Sequence, residues 1–255
     1  MLLKITERCS MHCSHCMNRS DENGPHMSFE TLQQAVRKLN ELPCQVLILT
    51  GGEPTEHPEL LSFAEYLSKN LSYLNRRSII LATNGLFLAD HIETARRLYR
   101  LFPRFHIQVT NDRRFYPKDI DERKPFFHLK YVMVCRSIQT IMPQGRALDN
   151  HIPTNRNSST CINCRSFIHQ LPESTIEATI TALEQYQKYC SPAIGVDGLI
   201  RAGESSLCPA FGSVYDSNAV LSRNLRHFQC NRCWDAGLNH NLPAVLKNML
   251  GVPPR

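Results

Sequence analysis

The sequence has no long apolar run. Its 255 residues contain no stretch of about 18 consecutive apolar residues, the length that a membrane-spanning helix requires, so we expect no membrane span. No apolar leader of the secretory type precedes Cys9, so a cytoplasmic location is expected. Internal repeats and low-complexity segments are also lacking. With 42% hydrophobic residues, the chain has enough apolar material for one large domain and a second, smaller one.

Positive charge is in modest excess and is not concentrated in one place. The formal net charge is +6, and the arginine pairs at 76–77, 96–97 and 113–114 are dispersed along the chain. None of these pairs alternates with aromatic residues, as the stacking surfaces that bind single-stranded nucleic acid do. The distribution therefore favours a mildly basic, solvated surface over a nucleic-acid interface. It is compatible with an acidic substrate or an acidic protein partner.

Cysteine, by contrast, is abundant. Eleven cysteines in a chain without a recognisable secretory leader indicate metal ligation in a reducing compartment and not disulfides. Three of them, Cys9, Cys13 and Cys16, have the spacing C-x3-C-x2-C. Three thiolates leave one coordination position of a metal centre open, whereas four close it. His12 and His15 lie within the same run and could complete a zinc site instead, although zinc sites seldom use this asymmetric spacing.

Strand-like and helix-like segments alternate over about the first 150 residues. Apolar strands are predicted at residues 2–5, 46–50, 78–82 and 106–110. Helices with one apolar face are predicted at residues 28–42, 58–71 and 91–101. Such alternation is typical of a parallel sheet with crossover helices. The cysteine triplet follows the first strand, so a site is expected at the carboxyl edge of the sheet, where α/β barrels place their active sites.

A family resemblance is carried by the cysteine run itself. Residues 9–16 resemble the signature of the radical SAM enzymes, and their sequence is Cys9-Ser10-Met11-His12-Cys13-Ser14-His15-Cys16. The resemblance implies a [4Fe–4S] cluster on Cys9, Cys13 and Cys16, with S-adenosylmethionine (SAM) bound to the open iron. It also implies electron transfer from a donor of the flavodoxin or ferredoxin type, and a 5′-deoxyadenosyl radical that abstracts a hydrogen atom from the substrate. The fold implied is α/β, a partial (β/α)6 TIM-like barrel.

Further segments resemble the same family in the expected order. Gly51-Gly52-Glu53-Pro54 resembles the motif that grips the SAM amino group, for which Glu53 offers a carboxylate. The ends of the third and fourth strands resemble those over the SAM carboxylate and ribose, and the segment around Gly145-Arg146-Ala147 resembles one near the adenine. The SAM-binding residues that the resemblance implies are Gly51, Gly52, Glu53, Pro54, Thr83, Asn84, Thr110 and Met142. No general base is predicted, because that residue differs between substrate classes.

A second set of cysteines lies in the C-terminal third. Cys190, Gly203 and Cys208 have the spacing C-x12-G-x4-C, and Cys230 and Cys233 form a C-x2-C pair. Four thiolates can fill a tetrahedral metal or cluster site, and their spacing alone does not separate iron from zinc. The pattern resembles the short twitch form of the SPASM extension, which implies an auxiliary [4Fe–4S] cluster on these four cysteines. A structural zinc ribbon is the alternative.

The predicted organisation has three parts. A radical SAM core is expected at residues 1–150, a linker and helix at 151–184, and a small cysteine-rich, twitch-like extension at 185–255. Within the extension, residues 196–200 predict a hairpin with Asp-Gly at its tip.

Four cysteines remain outside the two sets. Cys161 and Cys164 could form a zinc pair, a redox pair or alternative ligands of the auxiliary cluster, and they stay unassigned. Cys44 and Cys135 lie in or beside strand-like segments, so we predict that they are buried and act as small hydrophobic residues.

Together these features predict net oxidative chemistry. Removal of a hydrogen atom leaves one further electron on the substrate, which an auxiliary cluster can accept. The Gly145-Arg146-Ala147 segment and the extension resemble those of peptide-modifying members of the family, so the resemblance implies a radical SAM enzyme that modifies a peptide or protein, of the maturase type. A radical SAM dehydrogenase of small-molecule alcohols is an alternative with the same cofactors. A non-catalytic zinc-binding module is an alternative of another class, and it predicts a colourless protein.

Overall fold

The predicted alternation of strands and helices is present in the computed structural model, which describes residues 1–42, 44–138, 141–142, 144–153 and 192–226. The strands are β1 (Leu2–Thr6), β2 (Val46–Gly51), β3 (Ser78–Thr83), β4 (Phe105–Thr110), β5 (Val132–Cys135), β6 (Ala193–Ile194), β7 (Leu199–Arg201) and β8 (Ala210–Ser213). The α-helices are α1 (Phe29–Glu41), α2 (Leu60–Asn70), α3 (Leu86–Asp90), α4 (Ile92–Leu101), α5 (Gly145–Asp149) and α6 (Asn218–Arg226). The strands and helices predicted from the sequence are all confirmed, with small shifts at their ends.

The eight strands form one sheet in the order β5-β4-β3-β2-β1-β6-β7-β8. Neighbours from β1 to β5 are parallel, with Leu3 of β1 opposite Leu49 of β2 and Leu81 of β3 opposite Ile107 of β4. β6 pairs in parallel with the other side of β1, and β7 and β8 continue the sheet in antiparallel fashion. The predicted α/β class with a mostly parallel sheet is confirmed.

In the described part of the chain, the sixth parallel strand lies beyond residue 150. Among the described residues before that point, five parallel strands are present. The next one, β6, lies beside β1 and not beside β5. Every residue of β1 is buried, as expected for a parallel strand covered on both sides. The hairpin after β6 approaches the start of α1, where Gly198 lies near Thr31.

One face of the sheet is covered by helices. Ser28 caps α1 as predicted, because its Oγ accepts a hydrogen bond from the Thr31 N–H at 3.1 Å. Leu32 and Leu39 of α1 are fully buried and belong to the same apolar cluster as Leu3 of β1. None of the described helices is both long enough and apolar enough to cross a lipid bilayer.

The opposite face of β1 carries polar side chains. Because side chains alternate along a strand, Leu3 and Ile5 join the apolar cluster, whereas Lys4 and Thr6 lie on the other face. Lys4 is only 1% exposed, and burial lowers the pKa of its ammonium group. Its Nζ donates to Asn18 Oδ1 at 3.1 Å. The sequence pattern did not predict this buried lysine.

The hairpin predicted at residues 196–200 is confirmed between β6 and β7. Gly198 has φ +75°, the left-handed region that glycine adopts without steric cost. Asp197 Oδ1 accepts a hydrogen bond from the Leu199 N–H at 3.1 Å. The Asp-Gly pair therefore forms the tip, as its sequence indicates.

The two cysteines predicted to be buried differ. Cys44 is 3% exposed, as predicted. Cys135 is only partly buried, so its prediction was wrong. The reason is its position at the end of β5, which is the outermost strand of the sheet.

His57 provides a test of the packing between the sheet edge and α2. The ring is 3% exposed, its Nε2 donates to Met27 O at 3.2 Å, and its Nδ1 accepts from the Glu59 N–H at 3.0 Å. A second ring proton would point at the Glu59 N–H, and burial lowers the pKa of His57. As the pH falls below about 6.5, the unfolded chain binds a proton that the native ring resists, so the free energy of unfolding must fall.

We therefore expect urea titrations to give a lower free energy of unfolding at about pH 5.5 than at about pH 7.5. The difference should shrink in His57→Gln. His106→Gln, at an exposed position of β4, is the control and should keep the wild-type difference. An unchanged pH dependence in His57→Gln would show that the ring is not the group responsible.

Candidate functional site

Four loops meet at the carboxyl edge of the parallel strands. Residues 7–20, called the first cysteine loop below, follow β1, and the segments after β2, β3 and β4 begin at the same edge. Thr6 lies opposite Gly51, and Thr83 lies opposite Val109. Since parallel strands present their carboxyl ends together, the predicted site residues on these strands are brought together as expected.

The first cysteine loop carries three free thiols. Cys9 is buried, and Cys13 and Cys16 are half-buried. Burial raises the pKa of Cys9 and of Cys13 to about 12, and for Cys13 the neighbouring thiols add to the effect. A positively charged metal centre would favour the thiolates instead. The neighbouring thiols contribute to the raised pKa values of Cys9 and Cys13, so the three cysteines lie near one another. Three such thiols are a donor set that fits a cluster with one open iron.

The two histidines of the run make other contacts. His12 Nε2 lies 2.6 Å from Glu22 Oε1 in an exposed pair. The His15 ring packs on Phe115 and Tyr116, with ring centroids 4.9 Å and 5.8 Å apart. In the described ranges, no three His, Cys, Asp or Glu side chains converge on a single metal-ion position. The contacts of His12 and His15 disfavour a zinc site that either of them completes.

The two glycines after β2 bring its end against the first cysteine loop. The Gly52 N–H donates to Thr6 O at 2.8 Å, and the Glu53 N–H donates to Arg8 O at 2.7 Å. A Cβ atom on Gly52 would collide with the Arg8 carbonyl, so this approach requires glycine. The resemblance implies that Gly51 and Gly52 bind SAM, and the structure shows both glycines against the backbone of the chain itself. They place Glu53 beside the cysteine loop.

Glu53 is a buried carboxylate surrounded by neutral donors. It is 2% exposed. Oε1 accepts from the hydroxyls of Thr55 and Thr83, both at 2.6 Å, and Oε2 accepts from the Asn84 N–H at 2.6 Å. Burial raises the pKa of Glu53, and these hydrogen bonds oppose the rise. Pro54 opens the 3-10 helix Pro54–Glu56, which turns Thr55 back towards the carboxylate. A cationic ligand would compensate the buried charge.

Thr110 lies at the end of β4 and is half-buried. It is hydrogen-bonded to the phenol of Tyr116, and burial raises the pKa of that phenol. Sequence reasoning did not identify Tyr116, which lies in the irregular segment after β4. The adjacent aromatic pair Phe115-Tyr116 was the available signal, and its meaning depends on His15, which lies about 100 residues earlier in the chain.

The segment around Gly145-Arg146-Ala147, which resembles a segment near the adenine in this family, lies against the first cysteine loop. Met142 is half-buried, and its carbonyl accepts from the Gln144 N–H at 2.8 Å just before α5. Arg146 Nε donates to Cys13 O at 2.9 Å. The sequence did not predict this contact, because it joins residues 133 positions apart.

Of the second cysteine set, Cys208 is described. Cys190, Cys230 and Cys233 lie outside the described residues, and so do the unassigned Cys161 and Cys164. Cys208 is half-buried, and its Sγ lies 3.8 Å from the side-chain amide of Gln144.

Residues 202–208, called the Cys208 loop below, lie beside the first cysteine loop. Ser205 Oγ donates to Met17 O at 3.1 Å, and the Ser206 N–H donates to Asn18 Oδ1 at 2.8 Å. The buried Lys4 Nζ contacts both Asn18 Oδ1 and Ser206 Oγ. The two cysteine-bearing loops are therefore adjacent and joined by hydrogen bonds, which their sequence separation alone did not predict.

Comparison with known proteins gave several matches. Among curated proteins, the chain is 33% identical over 93 residues to a GTP 3′,8-cyclase of Peptoclostridium acidaminophilum, covering 35% of this chain and 28% of that protein. It is 34% identical over 105 residues to a GTP 3′,8-cyclase of Syntrophomonas wolfei subsp. wolfei, covering 37% and 30%. It is 29% identical over 77 residues to a PqqA peptide cyclase of Bradyrhizobium diazoefficiens, covering 29% and 20%. The matched segment thus spans less than a third of the length of these three relatives.

A solved structure, native anSMEcpe with bound AdoMet, aligns with 14% identity and a TM-score of 0.45, covering 89% of this chain and 81% of that one. Residues 3–129 match the model of the Radical SAM superfamily. That segment contains the three free thiols, the Gly51-Gly52-Glu53-Pro54 turn and nearly all of the first four strands. It forms a radical SAM domain, and this chain belongs to the radical SAM superfamily.

Proposed function

We propose that this radical SAM enzyme cleaves SAM reductively at a [4Fe–4S] cluster on Cys9, Cys13 and Cys16, and that the resulting 5′-deoxyadenosyl radical abstracts a hydrogen atom from a peptide or protein, with net oxidation. The observation that carries the proposal is the position of Glu53. A buried carboxylate with neutral donors is held by its own N–H against the loop that bears the three thiols. A ligand with a cationic amine on one side and a metal-binding group on the other fits that pairing.

The residues that we propose to contact SAM lie at the carboxyl edge of the sheet or next to it. Glu53 would accept hydrogen bonds from the SAM ammonium group, and Gly51, Gly52 and Pro54 would hold Glu53 in place. Thr83 and Asn84, which already bond to the Glu53 carboxylate, lie on the adjacent strand end. Thr110, one strand further, and Met142, before α5, complete the proposed set.

Aromatic rings pack on His15 at one side of the proposed site. His15 lies between Cys13 and Cys16 in sequence and packs on Phe115 and Tyr116. The Ser14 N–H donates to Phe115 O at 3.2 Å, which attaches the segment after β4 to the first cysteine loop. We infer that these rings exclude water beside the cluster ligands.

Anaerobic reconstitution tests the proposal. The purified chain should become brown and bind about four irons per cluster, hence about eight if both sites are filled. After reduction with dithionite it should convert SAM to 5′-deoxyadenosine, measured by chromatography. A colourless protein that binds zinc and leaves SAM intact would support the zinc-binding module instead.

We further propose an auxiliary [4Fe–4S] cluster on Cys190, Cys208, Cys230 and Cys233, in an extension at residues 185–255 that follows a core at 1–150 and a linker and helix at 151–184. The hydrogen bonds between the Cys208 loop and the first cysteine loop support this, because they hold Cys208 close to the first site. Net oxidation requires an acceptor for the second substrate electron, and an adjacent cluster is a suitable one.

The variant Cys208→Ala distinguishes the roles of the two proposed cluster sites. Cys208 is not one of the three proposed ligands of the first cluster, so reductive cleavage of SAM should continue, while oxidation of the substrate stops. Iron content should fall by about four per chain. Cys44→Ala, at a buried cysteine between α1 and β2, is the matched control and should keep both activities. Full substrate oxidation by Cys208→Ala would show that Cys208 is not needed for electron removal.

The peptide proposal is supported by the PqqA peptide cyclase among the relatives and by the Gly145-Arg146-Ala147 segment. Oxidation of a small-molecule alcohol is the competing proposal, with the same cofactors. Both oxidations remove two hydrogens, so mass spectrometry distinguishes them by the molecule that carries this loss, a peptide in one case and a small alcohol in the other. The net charge of +6 is compatible with an acidic electron donor of the flavodoxin or ferredoxin type.

A further inference from the structure

α5 approaches the first cysteine loop unusually closely. Its first residue, Gly145, has φ +56°. A Cβ atom there would lie 2.5 Å from Cys16 O and from Met17 O. Side chains larger than hydrogen are therefore excluded by contact and by backbone conformation together. Glycine allows the start of α5 to lie directly on the backbone of the loop.

Because α5 lies so close to the loop, Arg146 can donate hydrogen bonds to three of the loop's carbonyl groups. Its backbone N–H donates to Cys16 O at 2.8 Å. Its Nε donates to Cys13 O at 2.9 Å, and its Nη2 donates to Ser20 O at 3.0 Å. The contacts span the loop from the second cysteine to four residues beyond the third.

The end of α5 and its C-cap residue Asn150 contact the same loop. Asn150 Nδ2 donates to Ser14 O at 2.8 Å, and Arg19 forms a two-point ion pair with Asp149, with both N–O distances 2.6 Å. That ion pair is exposed, so its contribution to stability is small. Arg146 is only partly exposed, and its planar fork fixes the directions of several acceptors at once.

We propose that Arg146 is a positioning residue, which holds the first cysteine loop in the conformation that presents Cys13 and Cys16 to the cluster. The proposal rests on the proposed function in that it takes these thiols as cluster ligands. Backbone carbonyls fixed at Cys13 and Cys16 constrain where the two side chains point. Partners that orient metal ligands in this way typically change metal affinity about 10- to 100-fold when they are removed.

The test compares Arg146→Met, Arg146→Lys and Gly145→Ala with the control Arg97→Met. Arg97 of α4 forms an exposed ion pair with Glu65 of α2. In the reduced, iron-free chain, maleimide labelling of Cys13 and Cys16 followed by mass spectrometry reports the order of the loop. We expect labelling of both thiols to be roughly tenfold faster in Arg146→Met and Gly145→Ala, and unchanged in Arg97→Met. Native far-UV circular dichroism confirms that each variant is folded.

In the reconstituted protein, Arg146→Met should bind iron at the first site about 10-fold more weakly and alter the electron paramagnetic resonance signal of the reduced cluster. Arg146→Lys keeps the charge without the fork, so it should behave like Arg146→Met. Wild-type labelling and iron binding in Arg146→Met, or full rescue by lysine, would overturn the positioning role.

If the wild-type chain binds no iron, the proposed function fails, whereas the labelling experiment still decides whether Arg146 orders the loop. An unfolded Arg146→Met leaves the decision to Gly145→Ala, and wild-type labelling there would also overturn the proposal.

Discussion

Cys13→Ala should reduce the release of 5′-deoxyadenosine to the background of the assay. Cys13 is the central member of the three free thiols, and its pKa responds to both of the others. With two thiols left, the proposed cluster lacks a ligand that neither neighbouring histidine replaces, because His12 pairs with Glu22 and His15 packs on aromatic rings. Iron bound at the first site should be lost together with SAM cleavage.

The experiment measures iron and 5′-deoxyadenosine in parallel for the wild-type chain, Cys13→Ala and Cys44→Ala. Cys44 is equally a cysteine but lies between α1 and β2, at the amino edge of the sheet. Its replacement should leave both quantities unchanged. Wild-type SAM cleavage by Cys13→Ala would remove the N-terminal cluster from the mechanism.

Glu53→Gln should weaken SAM binding by about 10- to 100-fold, the usual worth of a hydrogen bond between charged partners. The substitution removes the negative charge that we propose to compensate the SAM ammonium group. It also places an amide NH2 where Glu53 now accepts only from donors, such as the hydroxyl of Thr83 and the N–H of Asn84. A modest loss of stability should therefore accompany the loss of affinity.

Titration calorimetry on the anaerobically reconstituted protein gives the SAM affinity. Glu59→Gln is the matched control, because Glu59 is exposed and lies six residues further on. The pH dependence adds a second criterion. Burial raises the pKa of Glu53 in the free protein, and pairing with a cation lowers it, so SAM binding should release a proton and strengthen as the pH rises. Equal affinity and an equal pH dependence in Glu53→Gln would show that this carboxylate does not bind SAM.

Much of the site could be predicted because its signals are local. The cysteine spacing, the glycines after β2 and the polar ends of β3 and β4 each lie within a few residues of a strand. Parallel strands then bring these ends to one edge. The hairpin at Asp197-Gly198 and the cap at Ser28 are local in the same sense, since each depends on the backbone preferences of one or two residues. The proposed second site depends on Cys190, Cys230 and Cys233, and it remains a prediction from spacing.

The amino-acid sequence by itself determined the strands and helices, the three-thiol donor set and the position of Glu53 next to it, because apolar periodicity and short motifs act over a few residues. The tertiary structure alone decided that β6 pairs with β1 and that Lys4 is buried beneath the Cys208 loop. It also decided that Arg146 binds the carbonyls of a loop more than 120 residues away. Such contacts depend on which distant backbone segments the sheet brings together, and no local preference of lysine or arginine encodes them.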